Sequence, residues 1–221
     1  MLPQGTFNYF GRTHRIPEDT AAALTALLSA TPRPVQVGLV NGRLFLVNAS
    51  LGLYPRLLED REAYKQQFGR SRLVALAASA LTLLRERRTL LLRLERGSET
   101  RLLRTATLFV GNNALQLQQI GIAEAHAVPG QLAGIVVRPV SAPAMLGLLL
   151  RGALGQLGAA ENVDSFAFTR LTVRPRLPFG RRRIKIATDG EIQWLDAPLT
   201  FEVAPRPLWL LAAPAGDDES R

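Results

Sequence analysis

The sequence predicts a mixed α/β (α+β) chain, in which a short αβ segment precedes a β-sandwich-like domain carrying two helices. Three observations carry this expectation. Apolar runs flank tight-turn residues at Asn41-Gly42 and again at Arg96-Gly97-Ser98, the pattern of β-hairpins. The C-terminal half is a succession of short apolar runs broken by Pro, Gly and charged residues. Helical patterns are few and fall between these runs.

Taken in order, Ile16-Pro17-Glu18-Asp19 is a helix start, because proline fits the first turn and the two acids complement the helix dipole. This helix runs through "TAAALTALLSA" and stops at Thr31-Pro32-Arg33-Pro34, which cannot continue it. The Pro-rich stop is the expected domain boundary. "VQVGLV" and "RLFLVNA" then pair about Asn41-Gly42. A helix follows over roughly Leu57 to Arg87, interrupted by Gly69. "RTLLLRLE" and "TRLLRTATLFV" form the second hairpin, and "GIVVRPV" a further strand. Pro143 to Leu157 reads as a helix whose glycines allow close packing. "FAFTRLTVRP", "RRIKIAT", "LTFEV" and "LWLLAA" complete the strands, and "AGDDESR" is a disordered tail. The expected organisation is 1–34, 35–214 and a tail at 215–221.

Composition narrows the chemistry. The 221 residues are 47% hydrophobic, enough for a substantial core. Cysteine is absent, which excludes a disulfide scaffold and a thiolate metal site. His14 and His126 are the only histidines. There is no Walker A loop, G-x-S-x-G or G-x-G-x-x-G. The longest apolar run, Leu73 to Leu84, is 12 residues, against the ~20 that span a bilayer. Net charge is +9, and 25 of the 27 basic residues are Arg. The planar guanidinium suits phosphate-bearing partners, although an Arg-rich genome gives the same composition. Aromatics, at 6%, do not interleave with the basic clusters, so no nucleic-acid partner is expected.

Three residue sets could carry chemistry. In Gly5-Thr6-Phe7-Asn8, glycine lets the backbone approach a phosphate and Thr6 can cap the turn; an ordinary helix cap has the same residues. Asp189-Gly190-Glu191 follows the strand "RRIKIAT". A carboxylate there could take a hydroxyl proton or help hold Mg²⁺, or the pair could simply make a hairpin turn. Glu59, with the basic cluster Tyr64 to Arg72, could meet a polar head group and a phosphate, or be a solvated helix face.

In this order, the motifs resemble the diacylglycerol kinase/sphingosine kinase-like lipid kinase superfamily, especially its bacterial members. The family's "lP-x-GT-x-N-x-fa" is matched by Leu2-Pro3-Gln4-Gly5-Thr6-Phe7-Asn8-Tyr9-Phe10. Its "igIP" is matched by Arg15-Ile16-Pro17, and its "F-x-N-x-a-s-x-G" by Phe45 to Gly52. "lfVgN" is matched by Leu108 to Asn112, and "DGE" by Asp189-Gly190-Glu191. The match runs from Leu2 to about Pro214. Tyr9 stands where the family has Asp, and the "GGDGT" loop, upstream of "GT-x-N" in the family, is absent from this sequence.

The resemblance implies an ATP- and Mg²⁺-dependent kinase for a lipid hydroxyl, of diacylglycerol or a related lipid, with residues 1–34 the remnant of its nucleotide-binding domain. Gly5, Thr6, Phe7 and Asn8 would lie against the nucleotide, with Asp189, Gly190 and Glu191 approaching from the second domain. Asp189 would be the catalytic carboxylate, Arg72 a phosphate contact and Glu59 a head-group contact. The chain alone is expected to be inactive without a complementary N-terminal half. The alternative expectation is a non-catalytic lipid- or membrane-binding module. Further expectations are a cytoplasmic protein, peripheral on the inner membrane face, with an anionic membrane surface as partner and a homo-oligomer as an alternative partner.

Overall fold

A computed structural model of the protein describes residues 8–56, 58–59, 89–122 and 130–212. Most of the expected 57–87 helix, the 215–221 tail, and Gly5, Thr6, Phe7 and Arg72 lie outside the described residues.

Two six-stranded antiparallel sheets pack face to face. The first runs β3 (Arg43–Phe45), β2 (Gly38–Val40), β13 (Leu199–Val203), β10 (Arg170–Pro175), β5 (Leu90–Arg96), β6 (Glu99–Thr105). The second runs β12 (Glu191–Asp196), β11 (Arg183–Thr188), β4 (Asn48–Gly52), β7 (Thr107–Gly111), β8 (Leu132–Val137), β9 (Val163–Phe168). The inward side chains interlock: Phe45, Leu92, Leu171, Leu199 and Phe201 from one sheet meet Leu51, Leu108, Leu132 and Ile186 from the other, all almost fully buried. Each contributes about 1.5–3 kcal/mol through burial. The outward face of the second sheet carries α3 (Ala114–Gln119) and α4 (Ala142–Ala153), while α1 (Tyr9–Thr13) and α2 (Thr20–Leu28) sit beside a separate strand pair, β1 (Thr31–Val35) with β14 (Leu208–Ala212).

The fold class agrees with the sequence, and so do the hairpins. Asn41 and Gly42 both have positive φ (48° and 76°), the two-residue turn whose twist matches the flanking strands. Four long strands need correction. "VQVGLV" divides between β1, which ends at Val35, and β2. "RLFLVNA" divides into β3 and β4, "TRLLRTATLFV" into β6 and β7, and "FAFTRLTVRP" into β9 and β10. In each case the chain leaves one sheet and enters another within two residues, so an unbroken apolar run conceals a corner. At the β6–β7 corner the buried Thr105 hydroxyl donates to the Val137 carbonyl (2.7 Å) and accepts from the Thr107 N–H (3.1 Å).

The N-terminal start also shifts. Pro17 and Glu18 precede α2, and the Asp19 side chain caps it by accepting from the Ala22 N–H at 2.8 Å. The Pro-rich stretch ends the helix as expected but then forms β1, with Pro32 opposite Leu211 and Pro34 opposite Trp209. Proline is compatible with such a two-stranded edge, where only one side is paired. Phe10 of α1 is buried with Val35, Leu210 and Ala212.

Two outcomes follow. Gly52 has φ +100°, and a Cβ there would meet the Ala106 carbonyl oxygen at 2.4 Å. Gly97 also has positive φ (+59°), but opens onto free space. Urea unfolding should show Gly52→Ala losing about 2–3 kcal/mol and Gly97→Ala about 1 kcal/mol. Equal losses would contradict the close approach. Burial pushes the His14 pKa below its ordinary 6.5, and its ring packs edge-on against Phe10 at 4.6 Å. The unfolded chain therefore takes up this proton first as pH falls, so the contribution is complete above pH ~6.5 and is lost on acidification below it. His14→Phe should flatten this part of a stability–pH curve; an unchanged curve would show that His14 contributes nothing.

Candidate functional site

The site is built on the outward face of the second sheet. β4 lies between β11 and β7, and its side chains alternate. Ala49 and Leu51 enter the core, leaving Asn48 and Ser50 on the other face. Both are buried, at 6% and 0% exposure. The Asn48 Nδ2 donates to Gln116 Oε1 of α3 at 3.1 Å. Asn48 Oδ1 and Ser50 Oγ have no hydrogen-bond partner among the described residues. An unpaired buried polar atom costs about 1–3 kcal/mol, so two on one strand face mark a place where a ligand's polar group could be satisfied.

On the same sheet face lies an apolar cavity of about 290 Å³, whose lining includes neither Asn48 nor Ser50. Phe109, Ile135 and Val137 of the sheet form its floor, Met145, Leu148 and Gly152 of α4 one wall, and Tyr9 and Tyr54 border it. Ser50 is directly opposite Phe109 in the β4–β7 register, and Gln116 lines the cavity while holding Asn48. The arrangement is an apolar space whose polar lining is Gln116, Thr107 and the two tyrosines, the form expected of a site for an amphiphile.

Asp189 and Gly190 form the β11–β12 turn, again with two positive φ values (49° and 90°). The Asp189 carboxylate accepts from three consecutive backbone N–H groups, Leu46 (2.7 Å), Val47 (2.8 Å) and Asn48 (3.0 Å). Its own N–H donates to the Asn48 carbonyl at 2.9 Å. From the other side, Asn112 Nδ2 donates to the Leu46 carbonyl (2.8 Å) and the Asn112 N–H to the Val47 carbonyl (2.8 Å). The "DGE" and "lfVgN" motifs thus grip the corner that carries Asn48. A carboxylate has about four acceptor positions, and three of those on Asp189 serve this grip.

The other predicted residues are placed as follows. Asn8 caps α1 in a left-handed conformation (φ 44°). Glu191 opens β12 and is exposed. Glu59 does not line the cavity; its two carboxylate oxygens accept from Lys185 Nζ at 2.6 and 2.7 Å, and Lys185 stands 5.2 Å from the Trp194 ring. Lys185 and Asp189 are four residues apart along one hairpin, roughly 13 Å at strand spacing, so the structure joins Asp189 to Asn48 and not to Glu59. Among the described residues no group of three or more His, Asp or Glu gathers to hold a metal. Gln116 lies in no sequence motif, and Ser50 appears only as one letter of the Phe45–Gly52 motif. A signal for Ser50 exists: Asn48 and Ser50 are the polar residues at i and i+2 in an otherwise apolar strand. Gln116 gives none.

Asp189→Asn and Asp189→Ala should each cost about 1.5–3 kcal/mol, because a charged acceptor of three backbone N–H groups is lost. The exposed Glu191→Gln should stay within about 0.5 kcal/mol. Amide exchange should accelerate at 46–48 in the Asp189 variants. Wild-type urea midpoints for both would sink the grip.

No family model matches the chain. Two curated relatives, each named "Probable lipid kinase YegS-like" and both from Pseudomonas aeruginosa (strains UCBPP-PA14 and PAO1), are 54% identical over 52 residues. That match spans 24% of this chain and 17% of either relative. Solved structures titled as diacylglycerol kinases from Bacillus anthracis strain Sterne share the fold. One has a TM-score of 0.67 at 19% identity, covering 97% of this chain and 68% of that one. Another has a TM-score of 0.62 at 16% identity, covering 97% and 66%. No described helix is long and apolar enough to cross a membrane. Over 52 residues the chain is similar in sequence to proteins named as lipid kinases, and its fold is that of solved structures titled as diacylglycerol kinases.

Proposed function

We propose that the chain supplies the lipid-binding side of a lipid kinase, which transfers the γ-phosphoryl group of ATP to a hydroxyl of diacylglycerol or a related lipid. The observation that carries this reading is the apolar cavity on the outward face of the second sheet, behind whose lining residues Phe109 and Gln116 lie two unpartnered polar atoms, Ser50 Oγ and Asn48 Oδ1. Acyl chain would occupy the Phe109–Met145–Leu148 space. Both atoms lie behind the lining, so a lipid hydroxyl that displaces Gln116 or Phe109 would donate to Asn48 Oδ1 and accept from Ser50 Oγ, which fixes its orientation before transfer. Orientation of this kind is a major part of phosphoryl-transfer catalysis.

In this reading Asp189 acts first as a positioning group, since its carboxylate sets the corner from which Asn48 projects. Its remaining acceptor capacity and the exposed Glu191 are what the described residues could offer a nucleotide or its metal. Bound Mg²⁺ would neutralise charge on the phosphoryl oxygens. The described residues form no cage for it. Gly5, Thr6, Phe7, Asn8 and Arg72 remain the proposed nucleotide contacts, with residues 1–34 as the edge of the nucleotide-binding domain. Turnover would require the glycine-rich phosphate loop that the sequence lacks, supplied by further polypeptide. Without it the chain would act as a lipid-binding module.

Gly152 lines the cavity, and a Cβ added there meets nothing within 4 Å. Gly152→Phe should therefore fill the cavity without clash. Its effect on stability should be neutral or favourable, since glycine costs a helix up to about 1 kcal/mol. A fluorescent short-chain diacylglycerol should bind the wild-type chain and bind this variant at least tenfold more weakly. No binding by wild type, or equal binding by both, would refute the lipid reading. Adding ATP and Mg²⁺ separates the two forms of the proposal: phosphorylated lipid from the 221-residue chain alone would overturn the need for the missing loop.

A further inference from the structure

Helix α4 is apolar on two opposite faces. Met145, Leu148 and Gly152 face the cavity. Leu146 and Leu150, with the C-cap residue Leu154, recur at i, i+4 and i+8, and are exposed by 37%, 55% and 71%. That spacing places them in one stripe. A cavity wall explains one apolar face and leaves the other without a structural reason.

The charge around the stripe selects its occupant. From Gly130 to Ala160 the sequence contains Arg138 and Arg151 and no acid; the next residue is the exposed Glu161. Arg138 is paired with Asp164. Arg151 is exposed, follows Leu150 directly, and makes no ion pair among the described residues. Exposed leucines beside such a guanidinium, on a helix that carries no carboxylate of its own, match an interfacial helix on an anionic lipid surface.

We propose that the Leu146–Leu150–Leu154 stripe of α4 is a membrane-docking surface, which seats in the interfacial layer of a bilayer containing anionic lipid. A helix with its side chains is about 10–12 Å across, and interfacial helices sit about 5–10 Å deep. Docked in this way, α4 puts the cavity within one helix diameter of the acyl layer. A lipid could then enter past α4 without its chains crossing water. The use of the surface rests on the lipid reading of the cavity, but its existence does not.

The test is vesicle flotation of the full chain with phosphatidylcholine alone and with phosphatidylcholine/phosphatidylglycerol at about 7:3. Wild type should float with the anionic vesicles, less so at high salt. Leu146→Gln/Leu150→Gln/Leu154→Gln should reduce partitioning at least tenfold. Arg151→Glu should remove the preference for anionic vesicles. Should the triple variant fail to fold, Leu150→Trp replaces it: fluorescence added over wild type should shift to the blue and be quenched by acyl-brominated lipid. Undiminished flotation of the triple variant, absence of flotation by wild type, or an added indole signal that acyl-brominated lipid leaves unquenched would overturn the proposal. So would a stripe that holds two copies together: a wild-type dimer by light scattering, monomeric in the triple variant, with flotation unchanged. The short-chain diacylglycerol assay is independent of docking. The folded triple variant should bind that probe like wild type, so loss of flotation and loss of cavity binding are separately readable.

Discussion

Three residues at a corner between two sheets, Leu46, Val47 and Asn48, present six backbone polar groups, and every one of them is satisfied. The Asp189 carboxylate takes the three N–H groups, the Asp189 N–H takes the Asn48 carbonyl, and Asn112 takes the remaining two carbonyls. A corner cannot use ladder hydrogen bonds for all its groups, and buried polar groups left unpaired are costly. The solution joins a turn more than 140 residues downstream to the start of the central strand of the second sheet. The remaining geometry follows from it. β4 takes its register from this anchor, the alternation along β4 turns Asn48 and Ser50 outward, and Gly52 ends the strand where only glycine fits beneath Ala106.

Polar satisfaction is complete at the anchor and incomplete immediately beyond it. Stability alone would favour an apolar pair in place of Asn48 and Ser50, because orphaned buried atoms weaken the fold. Their persistence beside an apolar cavity makes functional sense if a ligand hydroxyl completes the hydrogen bonding. The contrast with Glu59 is instructive. That carboxylate already has Lys185 as a partner, in a partly solvated ion pair of small energetic value. A charged group with a good partner has less reason to seek a ligand than a buried neutral group with none.

Much of this was legible in the sequence, for identifiable reasons. Turn residues such as Asn41-Gly42 and Asp189-Gly190 report a local backbone requirement for positive φ, so the hairpins could be placed without tertiary information. The corners could not, because Thr105, Ala106 and Thr107 continue the apolar and β-branched pattern straight through a change of sheet. Asp189 stands out as an acid at a strand end. That its carboxylate would face three amides from residues 46–48 depends on a long-range register that no local pattern encodes. Ser50 was visible only as a motif letter, because burial without a partner is a property of packing. The leucines of α4 were readable as helical, but not as divided between a cavity and an exposed face.

The central claim is that the outward face of β4 is where a lipid hydroxyl is held. The most direct measurement is a crystal structure of the chain with a short-chain diacylglycerol. The account predicts acyl density between Phe109, Met145 and Leu148, with the lipid hydroxyl at hydrogen-bond distance, about 2.6–3.2 Å, from Ser50 Oγ or Asn48 Oδ1. Lipid density elsewhere, or density in the cavity with the hydroxyl turned away from β4 and both atoms still unpaired, would contradict it.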